Sequence, residues 1–306
     1  MSSKEWWLNY KALQSTPIDC FTQIQNLTLE NYSDAPERYR QLLRTYSNSI
    51  QNQLSFYANL GFETPSLTVD DLQILPAGSF FFYLPFKLFT PYISKDDEPL
   101  YVHDNPVHKD WVLKVPTVSA TSWKGVFRST FRCLWKTDDK DPRIIRFLGN
   151  PNGNDKSFTR GRLNFFSTFF DCIGEEVINP QDRKRSAGTD PITIECVPIN
   201  GCGVLALLYV PFEIDPMTET REFWYREIRY ISRAIRYIRM VSGFGAKTAS
   251  GMGRMGELMK DKAYLVCHLP DAVSPSKITR CYQLSTFSGL ETIVKSIKET
   301  TGVDHD

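Results

Sequence analysis

Phe80-Phe81-Phe82-Tyr83-Leu84-Pro85-Phe86-Lys87-Leu88 is where the chain changes its period. Aromatic and aliphatic residues run on almost without a break, as in a strand that is half or fully buried. Upstream the spacing is helical: Tyr39, Leu42, Leu43 and Tyr46, then Ile50, Leu54 and Tyr57, with Gly61 marking the end. Residues 1–70, rich in Gln, Asn, Tyr and Leu, are therefore read as a helical N-terminal extension.

Downstream, residues 93–116 are polar and carry Asp96, Asp97, Pro99, Pro106 and Pro116. They read as a long loop, and loops of that length in a compact domain are usually functional or mobile. The spacing predicts a helix over 122–135, capped by Ser119, Thr121 or Ser122. Asn150–Asn154 reads as a turn, 161–170 as a strand, and 179–191 as a polar loop carrying Arg183-Lys184-Arg185. Strands are expected over 192–197 and 203–212, a helix from about 220 to 240 ended by Gly243, and a strand over 263–268. The order strand, helix, strand, strand, helix, strand is that of the α+β, ferredoxin-like split βαβ arrangement. Residues 71–270 form that domain, and 271–306 read as a C-terminal tail.

The chain has 306 residues, 42% apolar and 13% aromatic, which is ample for a packed core. Charged residues make up 23% and the formal net charge is +1, which excludes a globally basic nucleic-acid binder but not a basic stripe offset elsewhere. Met1-Ser2-Ser3-Lys4-Glu5 has no apolar segment behind a positive flank, so no secretory signal is expected. The apolar stretches 80–89 and 202–212 are each about half of the ~20 residues that cross a bilayer. The seven cysteines, at 20, 133, 172, 196, 202, 267 and 281, are irregularly spaced and form no Cys-x-x-Cys pair. Reduced thiols in a cytoplasmic protein are expected, with no metal site.

Four constellations carry possible chemistry. In Gly243-Phe244-Gly245-Ala246-Lys247-Thr248-Ala249-Ser250-Gly251-Met252-Gly253-Arg254, four glycines let amide groups approach a phosphate with no Cβ in the way. The same loop also reads as a tight packing turn after a helix. A nucleotide-binding P-loop fits it poorly, since the loop follows a helix rather than opening one and Ala246 precedes Lys247. Next, the small hydroxyl residues of 116–122 lead into a helix with Lys124, Arg128 and Arg132 on one face, either an anion site at a helix N-terminus or a solvated basic face. In the 220–240 helix Arg226, Arg229, Arg233 and Arg236 make a basic stripe opposite Trp224, Ile228, Ile231, Ile235 and Ile238. A solvated face is the default there, although arginine throughout suits phosphate partners. Last, Asp104–Asp110 gathers a carboxylate, an imidazole and an amine, where an Asx-type turn set up by Asp104 and Pro106 is the structural alternative.

These residues together resemble the RAMP (repeat-associated) superfamily. Asp104-Asn105-Pro106-Val107-His108-Lys109-Asp110, then Pro116 to Arg128, then Gly161-Arg162-Leu163-Asn164-Phe165, then Gly243 to Arg254 follow one another in the order the family has them. The chain is most similar to backbone or backbone-capping subunits of type III CRISPR effectors, over 72–256. Trp123 stands where a leucine or valine is usual.

The resemblance implies a ferredoxin-like (RRM-like) palm that grips the guide-RNA backbone, and a thumb, matched by 179–191, that distorts the guide–target duplex. Its implied RNA-binding residues are Ser119, Ser122, Lys124, Arg128, Arg132, Arg183, Lys184, Arg185, Gly245, Lys247, Thr248, Ser250 and Arg254. The implied partners are guide (CRISPR) RNA, complementary target RNA and other effector subunits, with no membrane. Asp104 matches the loop aspartate with which backbone subunits cut target RNA. Cleavage by the 2′-OH needs that oxygen in line with the leaving 5′-oxygen, which a regular A-form helix prevents. Unstacking a nucleotide relaxes this at a cost of roughly a few kcal/mol. A carboxylate there would take the 2′-OH proton or hold Mg²⁺ near the phosphate. Capping relatives instead grip RNA without cutting. Two further readings stay open: an endoribonuclease that processes precursor RNA through His103 or His108, and a nucleotide-binding protein using Gly243–Gly253.

Overall fold

The nine residues from Phe80 become a strand paired along both edges, which is why eight of them avoid open solvent. A computed structural model describes residues 17–30, 35–59, 66–96, 105–150, 159–179, 181–182, 187–188, 191–212, 220–259, 262–269 and 279–300. Helices α1 (Pro17–Glu30), α2 (Ala35–Asn59) and the short α3 (Val69–Gln73) lead into β1 (Phe80–Leu88). There follow β2 (Thr117–Val118), α4 (Ala120–Trp135), α5 (Pro142–Leu148), β3 (Leu163–Phe165) and β4 (Thr168–Phe169). A ribbon comes next: β5 (Gly174–Ile178), β6 (Gln181–Asp182), β7 (Ala187–Gly188) and β8 (Ile192–Cys196). The chain continues through β9 (Cys202–Tyr209), α6 (Arg221–Tyr237), β10 (Met255–Leu258), β11 (Ala263–His268), β12 (Thr279–Leu284) and α7 (Gly289–Thr300).

The main sheet runs β12-β11-β1-β9-β3 with antiparallel neighbours throughout. Beyond Phe86 the β11 edge of β1 is taken over by β10, through a shift in register between Phe86 and Leu88. Alternation sorts the strand's side chains. Phe80, Phe82, Leu84, Phe86 and Leu88 join the main core, while Phe81 packs with Leu72, Ala206 and Val266 on the other face. The main core is closed by Trp123, Phe127 and Phe131 of α4 and by Trp224, Ile228, Ile231 and Ile235 of α6. The molecule is thus mixed α+β, built on one antiparallel sheet. Among the described residues no helix is long and apolar enough to cross a membrane.

Two stretches differ from the sequence reading. Residues 161–170 do not form one strand: β3 pairs with β9, whereas β4 turns away to pair with β2. The region read as a C-terminal tail carries β12 on the sheet edge and α7 against α6, with Leu290, Val294 and Ile297 buried. Its strand was hidden because an edge strand needs no apolar run; only Leu284 of Thr279–Leu284 is fully buried.

Helices α1 and α2 share the main core through Phe21, Ile24, Tyr39, Leu43, Tyr46 and Ile50. Polar contacts fix their position. The Tyr39 hydroxyl donates to Glu195 on β8 at 2.8 Å, Arg40 pairs with Glu175 on β5 at 3.3 Å, and the Ile173 amide donates to Ser47 at 3.2 Å. The same Glu195 carboxylate receives Lys109 and the Val107 amide, all out of solvent. Burial of the Tyr39 phenol, and then the carboxylate beside it, raise its pKa well above the usual value.

Candidate nucleic-acid interface

The site lies where the last turn of α6, the end of β1 and the first turn of α4 come together. Helix α6 ends in a π-type turn over Ile238–Ser242, a feature often found at functional positions, and Gly243 at φ 65° releases the chain into the loop. The loop then needs glycine for two different reasons. Gly245 (φ 88°) lies so close to Ile93 that an added Cβ would come within 2.6 Å of its carbonyl oxygen. Gly253 (φ 67°) lies across the loop from Phe244, whose oxygen would be 1.8 Å from such an atom. Hydrogen bonds hold this shape: Phe244 N–H to Gly253, Ala246 N–H to Ile93, Gly253 N–H to Pro91, and Arg254 N–H to the Thr90 hydroxyl, at 2.7–2.9 Å.

Phe244 points the loop's aromatic side chain into an aromatic cluster. It lies 4.7 Å from the Trp123 ring, 5.3 Å from Tyr92 and 6.0 Å from Phe86, centre to centre. Trp123 is wholly buried and its indole N–H donates to Thr168 at 2.9 Å, which explains how an indole is accommodated where a smaller side chain is usual. The Tyr92 hydroxyl donates to the Thr117 carbonyl at 3.3 Å, just ahead of α4. The glycine-rich loop and the α4 N-terminus are therefore clamped to one another through rings.

On the outside, this clamp presents amide donors and cations. Lys247 has left-handed backbone (φ 55°) and is followed by a 3₁₀ turn at Thr248–Ser250, so successive N–H groups line a concavity of the kind that binds anions. The amides of Gly245, Lys247, Thr248 and Ala249 have no acceptor among the described residues. Gly245, Lys247 and Ser250 are exposed, and Thr248 and Arg254 half-buried. On α4, Ser119 is the N-cap; its hydroxyl accepts the Ser122 amide at 3.1 Å and lies 2.8 Å from the Ser122 hydroxyl. Lys124 is exposed one residue past the buried Trp123, and its ammonium is held below its usual pKa, first by partial desolvation and then by Arg128 beside it. Two cations set together in this way favour an anion between them.

Not every basic residue is equally available. Arg128 donates to Asp139 at 3.5 Å and to the Gly149 carbonyl at 3.4 Å, and Arg132 stands 3.9 Å from the same aspartate. Arg226, Arg229, Arg233 and Arg236 of α6 are exposed, as the stripe predicts, but Arg236 is paired with Glu291 of α7. His108 is bonded to Asp96 at 3.0 Å through its Nδ1. Asp104, His103 and the thumb residues Arg183, Lys184 and Arg185 lie outside the described residues. Among the described residues no cluster of three His, Cys, Asp or Glu side chains could hold a metal ion.

Of the four stretches that carry the resemblance, 104–110, 116–128, 161–165 and 243–254, the described parts of three meet here. Thr117 N–H bonds to the His108 carbonyl at 3.0 Å, bringing the 105–110 loop to the α4 entry. The fourth, Gly161–Phe165, lies at the far end of the sheet. Leu163 pairs with Tyr209, which also pairs with Phe80, whereas the glycine-rich loop adjoins Leu88. There Gly161 packs on the Leu148 backbone, and Arg162 sits in a buried network with Tyr209, Glu227 and Arg146. The sequence reading missed Glu227, although a carboxylate between Trp224 and Ile228 on an apolar stripe is a legible sign of a buried ion pair.

A family model described as the RAMP superfamily matches residues 85–256, more than half of the chain. A comparison with curated proteins finds no match. Among solved structures, the chain is similar to one in a type III-B Cmr-beta complex bound to cognate target RNA. There the identity is 13% and the TM-score 0.49, over 76% of this chain and 77% of that one. It is also similar to chains of a type IV-B CRISPR complex (11%, TM-score 0.40, 65% and 95%) and of apo type III-B Cmr-beta (11%, TM-score 0.40, 60% and 98%).

Proposed function

We infer that this chain, which belongs to the RAMP superfamily, is an RNA-gripping subunit of a type III CRISPR effector. The observation that carries the reading is the clamp: the open amides of Gly245 and of Lys247, Thr248 and Ala249, with the Lys247 side chain, set against the α4 N-terminus, with Lys124, by the Phe244–Trp123 contact. Such a surface suits successive phosphates of one strand, bound by shape and charge with no reading of base sequence. Guide phosphates lie along Ser119, Ser122, Lys124 and Arg128 on one side and Gly245, Lys247, Thr248, Ser250 and Arg254 on the other. The strand order β11-β1-β9-β3, with α4 and α6 as the two crossovers, supports a ferredoxin-like palm. The β5–β8 ribbon supports the thumb on the guide–target duplex, and the sequence between its two strands carries Arg183, Lys184 and Arg185. The partners are guide RNA, complementary target RNA and neighbouring effector subunits.

Binding of labelled single-stranded RNA by the full chain tests this. Affinity should fall by roughly 0.7 log units per log unit of salt for each phosphate neutralised. Lys247→Ala and Lys124→Ala should each lower that slope by about one contact, equally on unrelated sequences. A salt-insensitive complex, or one indifferent to both lysines, sinks the reading.

Cleavage belongs to the same proposal and rests on the position of Asp104 directly before Asn105-Pro106. Asp104 takes the 2′-OH proton of a target nucleotide that the thumb has unstacked. In an assembled complex Asp104→Ala should abolish cutting and leave RNA affinity unchanged. Undiminished cutting by that variant makes the chain a gripping subunit only.

A further inference from the structure

A cleft of about 870 Å³ opens beside the glycine-rich loop, where β1 ends against β10. Its lining is largely apolar, with Leu88, Leu258 and Met259 among the contributors. Phe89 borders it with 67% of its surface in water, so a large ring is displayed there and not buried. Lys87 and Lys262 line the same cleft; both are exposed, and neither makes an ion pair among the described residues. The one carboxylate among the described lining residues, Glu257, is held by the Arg239 guanidinium. The cleft is therefore cationic as well as apolar. It is also continuous with the phosphate-facing loop, because the Phe89 amide donates to the Arg254 carbonyl at 2.9 Å.

An exposed aromatic face flanked by cations that have no acidic partner among the described residues is the pairing with which proteins hold single-stranded nucleic acid. The base stacks on the ring while its phosphates meet the cations. A peptide segment with no acidic side chain would cover the apolar lining equally well but would leave both ammonium groups without a counter-charge, whereas a strand of nucleic acid supplies a ring to stack and an anion on either side of it. We propose that the cleft is a stacking subsite for one nucleotide of single-stranded RNA. The base lies on Phe89, and the phosphates on either side of it meet Lys87 and Lys262. This rests on the RNA-gripping reading above and carries the RNA path past the glycine-rich loop. Asn200, which also lines the cleft, offers an amide donor and acceptor to the edge of the stacked base.

The test uses the full chain and fluorescein-labelled single-stranded RNA of mixed sequence, some of it carrying 4-thiouridine for photocrosslinking. Phe89→Ala should weaken binding by roughly 5- to 150-fold, the worth of one base–aromatic stack. Phe89→Tyr should restore it. Lys87→Ala and Lys262→Ala should each lower the salt slope by roughly 0.7, and crosslinked peptides should include Phe89. All three positions are exposed, so unchanged melting temperatures confirm that the variants fold. If Phe89→Ala binds as tightly as the wild type, with crosslinks confined to 119–128 and 243–254, the stacking subsite is refuted while the guide-binding reading stands. The cleft is then left to a neighbouring protein. If Phe89→Ala weakens binding and Phe89→Tyr does not restore it, stacking is refuted as well. If the wild-type chain binds no RNA at all, both readings fall together.

Discussion

At the scale of single residues, the glycines of one loop carry different burdens although all have positive φ. Gly251 (φ 85°) has nothing within 4 Å of the position a Cβ would take, whereas at Gly253 the Phe244 oxygen stands 1.8 Å away. Gly251→Ala should then cost only the left-handed backbone penalty of roughly 1–2 kcal/mol and keep RNA binding. Gly253→Ala must displace Phe244 from the rings of Trp123 and Tyr92, so it should lower the melting temperature further and weaken RNA binding together with it. Equal melting temperatures for the two variants would contradict the loop geometry. The sequence displays four glycines that look alike; Gly253 meets Phe244 across the loop, Gly245 meets the Ile93 carbonyl more than 150 positions earlier, and neither approach is legible in the local pattern.

At the scale of elements, α5 shows how little sequence a structural unit needs. It has seven residues, too few for a periodic signal, yet its ends are fully specified. Asp141 accepts the Arg143 amide at 2.8 Å as N-cap, Pro142 occupies the first turn, and Gly149 ends it. Asp141 also binds the Arg143 guanidinium at 2.6 Å, and that bond, ahead of a smaller opposing effect of burial, draws its pKa down to about 2 from 3.8. A carboxylate depressed on folding adds stability that is complete above the unfolded pKa and is lost as the pH falls through the folded one. Asp141→Asn should therefore flatten the stability profile between pH 4 and 2, while keeping part of the cap; chemical denaturation across that range measures it. Helix α6 is the opposite case. Its arginine and isoleucine stripes could be read directly because seventeen residues in one helix repeat the pattern several times. The 161–170 stretch lies between: its apolar content is that of a strand, but the chain changes sheets within it, and apolar content carries no information about partners.

At the scale of the whole molecule, the N-terminal helices are part of the body. Tyr39, Lys109 and the Val107 amide converge on Glu195, so one carboxylate joins α2, the loop after β1 and the root of the β5–β8 ribbon. Glu195→Gln leaves the Lys109 ammonium buried without its counter-ion and should destabilise the fold by roughly 3–5 kcal/mol. Tyr39→Phe, which removes one bond to a charged acceptor, should cost about 1.5–3 kcal/mol. Urea titrations of both variants decide this, and a Glu195→Gln loss below that of Tyr39→Phe would mean that Lys109 finds another partner. Tyr39 and Lys109 stand in patterns the sequence displays, but Glu195 does not, and nothing in the chain signals that the three converge once the fold removes water from around them. The same contact sets an order of events during synthesis. Tyr39 and Glu195 are 156 residues apart, so at about 5–20 residues per second the hydroxyl waits roughly 8–30 s after its own translation for its acceptor to be made. Helices α1 and α2 are thus translated well before they can be locked in place, and for that interval Phe21, Ile24 and Tyr46 are the apolar surface a chaperone would have to shield.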